Sequence, residues 1–112
     1  MTREALGEFE QLVLLAIIHL GESGEVYGVP IVKEIEKRTG RQVADAAVYV
    51  TLRRLEQKGL VESWKGDPTA ERGGKSRRCV KVTRAGTTLL RESRTALDRM
   101  WQGLDANARR AR

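Results

Sequence analysis

Asp45-Ala46-Ala47-Val48-Tyr49-Val50-Thr51-Leu52-Arg53-Arg54-Leu55-Glu56-Gln57-Lys58-Gly59-Leu60-Val61 is the stretch on which the fold turns. The spacing of Val48, Leu52 and Leu55 places three apolar side chains on one stripe of a helix running from Asp45 to Lys58. At its start the Asp45 carboxylate can accept early backbone N–H groups and suits the positive end of the helix dipole. At its end Lys58 suits the negative end, and Gly59 can take the left-handed conformation that closes many helices. With about 100° between successive residues, the opposite face carries Ala46, Val50, Arg53 and Gln57, flanked by Tyr49 and Arg54. That face is basic, and its first turn is small.

Downstream, Leu60 to Lys65 and Arg78 to Thr83 read as two short strands, the second alternating Val80 and Val82 against Cys79 and Lys81. Trp64 on the first strand is expected in the core. Asp67-Pro68 and Gly73-Gly74 mark the connection. From Lys65 to Arg84 the chain concentrates Lys65, Arg72, Lys75, Arg77, Arg78, Lys81 and Arg84 against Asp67 and Glu71. A last helix introduced by Thr83-Arg84-Ala85-Gly86 shows a broad apolar face of Leu89, Leu90, Ala96, Leu97, Met100, Trp101 and Leu104.

Upstream, Tyr27-Gly28 leads to Pro30, tolerated in a first helical turn because its missing N–H has no helical partner there. A helix of about three turns follows, with Ile31, Ile35 and the stem of Arg38 on one side and Thr39-Gly40 at its end. Before it, Leu6 to Leu20 forms a helix that is apolar nearly all round. In so small a protein such a helix must be covered on more than one face, either as a central core helix or in part by a second subunit.

The 112 residues suit one domain, with Lys and Arg numbering 21 against 15 Asp and Glu for a net charge of +6. An anionic partner is implied, and the clustering of cations in the hairpin favours nucleic acid. Cys79 is the lone cysteine, which suits a reducing, cytoplasmic setting. No apolar run approaches the ~20 residues that span a bilayer, and the start of the chain lacks the layout of a secretory signal. His19, the one histidine, has no Cys, Asp or Glu at ligand spacing and reads as a packed or helix-end residue. No enzyme activity, metal or cofactor is expected.

Three helices, a basic two-stranded hairpin and a final helix are the order of a winged helix-turn-helix, mainly α with a small β-hairpin. Residues 1–84 form the DNA-binding part and 85–112 a C-terminal dimerisation helix with a short basic tail, in one compact unit. Ala46 and Ala47 would let the backbone approach the duplex. Arg53, Arg54 and the wing cations would neutralise phosphates.

These residues resemble the PadR-type regulators, specifically the short members with a single C-terminal helix. The likeness covers roughly residues 6 to 104. It rests on Tyr27-Gly28, on Tyr49 through Val61, and on Val82-Thr83-Arg84-Ala85-Gly86. It implies a homodimeric repressor joined through the first and last helices, with Leu6, Phe9, Val13, Leu90, Leu97, Met100, Trp101 and Leu104 at the interface. It also implies that Tyr49 lies at the DNA side and that Gly73-Gly74 with Arg77 and Arg78 form the wing tip. Trp101 and Leu97 then have two readings, as filling of the dimer core or as a pocket for a small planar or hydrophobic effector. Ala44 to Ala47 stand where the family commonly carries hydroxyl donors, so no base specificity is carried over. A protein-interaction module with an acidic partner is the competing functional class.

Overall fold

The computed structural model describes residues 5–21, 27–68 and 76–104. They form α1 (Glu8–Leu20), α2 (Val29–Thr39), α3 (Asp45–Gln57), β1 (Val61–Pro68), β2 (Ser76–Val82) and α4 (Arg84–Trp101). The two strands pair antiparallel, with Val61 opposite Val82, Ser63 opposite Val80 and Lys65 opposite Arg78. This is the expected winged helix-turn-helix architecture, mostly helical with one small hairpin. Arg72, Lys75, Gly73-Gly74 and the tail from Asn107 lie outside the described residues.

α1 is the central element and touches α2, α3, α4 and β2. Its Val13, Leu14 and Ile17 are sealed in a core with Ile31 and Ile35 of α2 and Val48, Leu52 and Leu55 of α3. Burial of each such side chain contributes roughly 1.5–3 kcal/mol. The other side of α1, carrying Leu15 and Ile18, is exposed. An all-round apolar helix is thus split between a face its own chain covers and a face it does not.

α3 follows the sequence reading along its length but differs at its start. Ala44 is the residue before the first turn and Asp45 already lies inside it, with no side-chain cap hydrogen bond. Asp45 therefore acts only through its charge near the positive end of the dipole. The C-terminus closes as expected. Gly59 is left-handed at φ 75°, and the N–H of Leu60 reaches back to the Leu55 carbonyl at 2.9 Å.

Glu10 ties two helix ends together. Its Oε1 accepts the Gly7 N–H at 2.9 Å, at the entry to α1. Its Oε2 accepts from Lys58 Nζ at 2.9 Å, just past the end of α3. Burial pushes the Glu10 carboxyl up, but the Gly7 N–H and the Lys58 ammonium outweigh it and hold it below the usual range. The stabilisation is therefore full above the ordinary carboxylate pKa and is lost as pH falls through the depressed one.

In the hairpin, Val61 and Val80 point into the core, and Glu62, Trp64 and Lys81 at alternate positions are exposed. Trp64 lies on the outer side, opposite Cys79, and is 45% exposed. The expectation that Trp64 is a core residue is thus corrected: the outer side of the hairpin is covered at Cys79 on β2 but left open at Trp64 on β1. Lys81 Nζ lies 5.9 Å from the Trp64 ring centroid, and Cys79 is buried. The strands also run further than the turn signals suggest, to Pro68 and from Ser76, with an irregularity between Lys65 and Pro68.

The hairpin hands over to α4 through a tight joint. Thr83 Oγ1 accepts the Gly86 N–H at 3.1 Å and itself donates to the Gly59 carbonyl at 2.8 Å. Thr83 N–H donates to the Leu60 carbonyl at 3.0 Å. A Cβ at Gly86 would lie 2.4 Å from the Leu60 carbonyl oxygen and 2.7 Å from Val82 Cγ1. The Thr83-Arg84-Ala85-Gly86 run is thereby explained: a cap, then a residue without a side chain where helix meets strand.

Candidate nucleic-acid interface

Burial of Val48, Thr51, Leu52 and Leu55 fixes the roll of α3, so the residues between them must face outward. Ala46, Ala47, Val50, Arg53 and Arg54 are all exposed. The face is small over its first turn and cationic over its last, as the periodicity predicts. Lys65 is exposed on β1, next to Arg78 across the ladder. Arg77 belongs to β2, but its side chain lies outside the described residues.

Tyr49 is less free than the other outward residues. A Cβ at Gly28 would fall 2.2 Å from the Tyr49 hydroxyl oxygen. The backbone at Gly28 is also left-handed, at φ 70°, so glycine is required there for two separate reasons. The Tyr27 ring packs against Tyr49 with centroids 5.7 Å apart and planes tilted by 45°. The guanidinium of Arg78 stands 5.1 Å from the Tyr27 ring centroid. A chain of contacts thus runs from α3 through the entry of α2 to the wing.

A second link joins hairpin and helix. The Ser63 hydroxyl donates to the Glu56 carboxylate of α3, and Arg78 Nη2 donates to Ser63 Oγ at 3.3 Å. Sequence spacing alone does not mark Tyr27, Ser63 and Glu56 as parts of the candidate site. Tyr27-Gly28 is visible there as a motif, but its partner Tyr49 lies a full helix away.

α1 and α4, with Lys81 and Val82 of β2, line an open groove of about 850 Å³ that includes Leu15, Ile18, Leu90, Leu97 and Trp101. The structure divides the residues expected at a subunit interface. Leu6, Val13 and Leu90 are buried in the chain's own core and Phe9 packs against it. Because Val13 has no exposed surface, a partner cannot reach it; Leu15 and Ile18 are the outward residues of α1. Leu97, Met100, Trp101 and Leu104 are exposed, Met100 to 74% and Trp101 to 59%.

Among the described residues no three His, Cys, Asp or Glu side chains gather as a metal site, and no helix is long and apolar enough to cross a membrane. His19 is an exposed residue in the last turn of α1.

Known proteins agree with this architecture. Residues 14–92 match the model of the transcriptional regulator PadR-like family. Transcriptional regulator Rv3488 of Mycobacterium tuberculosis is 35% identical over 94 residues, covering 83% of each chain. A PadR family transcriptional regulator from Eggerthella lenta superposes with a TM-score of 0.66 at 26% identity, covering 90% of this chain and 86% of its own. A PadR-like transcriptional regulator from Bacillus cereus gives a TM-score of 0.64 at 20% identity, with 92% and 89% covered.

Proposed function

Because this chain belongs to the PadR-like family of transcriptional regulators, we propose that it is a repressor that binds double-stranded operator DNA as a homodimer. α3 enters the major groove and the basic hairpin lies along the sugar-phosphate backbone. The observation that carries this reading is the outward face of α3, which offers Ala46 and Ala47 at its start and Arg53 and Arg54 further on, all exposed. Small residues permit close approach, and the cations supply phosphate neutralisation. With no hydrogen-bonding side chain at Ala46 or Ala47, operator choice leans on Tyr49, on the spacing of two reading heads and on DNA shape.

The dimer is supported by the exposed apolar face that Leu15 and Ile18 of α1 share with Leu97 and Trp101 of α4 around one groove. Its volume and its indole also suit a small planar or hydrophobic effector, taken up between the two copies. Quenching of Trp101 fluorescence by planar cations, with release of DNA, checks that part.

The main test is enrichment of duplexes from a random-sequence pool, followed by titration at several salt concentrations. A selected duplex is expected to bind roughly a thousandfold or more tighter than a scrambled one, with affinity falling steeply as salt rises. Failure to enrich any duplex would overturn the reading. The same face would then be assigned to an acidic protein partner.

A further inference from the structure

Two cations stand side by side on the hairpin face nearest α3, and they are engaged differently. Among the described residues the exposed Lys65 side chain makes no hydrogen bond or ion pair. Its cross-strand neighbour Arg78 has its guanidinium over the Tyr27 ring at 5.1 Å and donates to Ser63 Oγ at 3.3 Å. Both of those partners lead into α3: Tyr27 through its ring contact with Tyr49, and Ser63 through its hydrogen bond to Glu56. Tyr49 is in turn held by its hydroxyl against Gly28, where no side chain fits.

We propose that Arg78 is a positioning residue that braces the wing against the reading helix through Tyr27 and Ser63, rather than a phosphate contact. The physical gain is preorganisation. A two-stranded hairpin is marginal by itself, and a wing held at a set angle to α3 loses less freedom when both meet one duplex. Arg suits the task because its planar cation stacks on an aromatic face and still donates sideways.

This inference rests on the DNA-binding reading, and two measurements separate the two. The first needs no DNA: Arg78→Gln and Tyr27→Leu are each expected to speed amide hydrogen exchange in residues 61–65 and 78–82, and unchanged exchange in both would overturn the brace. The second uses the selected duplex. Arg78→Gln is expected to weaken binding roughly two- to fivefold while the slope of log affinity against log salt stays as in the unaltered chain. The double variant with Tyr27→Leu is expected to be no weaker than the poorer single one. A slope reduced by about 0.9, the mark of one lost phosphate contact, or fully additive losses, would overturn the proposal. If the unaltered chain binds no duplex, the DNA-binding reading falls, and hydrogen exchange alone decides whether Arg78 braces the wing.

Discussion

The two halves of α4 carry the same kind of apolar face and meet opposite fates. Near the wing, Gly86 and Leu90 are buried against the chain itself, and the Thr83 cap locks the entry. Further along, Leu97, Met100 and Trp101 stand in the open. One unbroken helix therefore begins as part of the chain's core and ends as a surface. Apolar periodicity says which side of a helix wants to be covered; it does not say by which molecule.

That contrast can be broken in stages. The largest effect is expected at the joint, where Gly86→Val must displace the Leu60 carbonyl and Val82. With a total stability of about 5–15 kcal/mol available to a domain, no cooperative thermal transition should be seen by circular dichroism. Leu90→Ala, in the buried half, should cost about 2–5 kcal/mol in urea unfolding. Thr83→Ala removes the cap of α4 and the bond to Gly59, and should cost about 1 kcal/mol in the same assay. The smallest effect on the fold is expected in the exposed half: Leu97→Ser should stay within about 0.5 kcal/mol at dilutions where the unaltered chain is already monomeric. In sedimentation the same variant should raise the dissociation constant of the proposed dimer on the order of tenfold. A Leu97→Ser protomer as unstable as Leu90→Ala would erase the distinction between the halves.

The legibility of the chain followed the same line. The inward stripe of Val48, Leu52 and Leu55 and the left-handed stop at Gly59 were readable because both are local: one is a period, the other a backbone requirement. α1 was readable as a helix but not in its roll, since apolar residues surround it and only the folded chain shows Val13 inside and Leu15 outside. Trp64 misled because burial of a strand residue depends on what packs over that position, which no strand pattern records: Trp64 is open while Cys79 beside it is buried. The site was half visible. Arg53, Arg54 and the small first turn of α3 stood out from spacing alone. The restraint on Tyr49 depends on Gly28, a contact between two helices that no window of sequence contains.

The continuity of α4 has a geometric consequence. Since no loop separates the wing joint from Trp101, the direction in which the exposed patch looks is set by residue count. Each residue inserted between Leu90 and Leu97 would turn the patch by about 100° relative to the wing, while an insertion of roughly seven would return it to within about 20° of its bearing. Length changes in this segment among related chains should therefore come in steps of about seven residues, two turns at a time, with intermediate lengths filtered out by the phase of the helix.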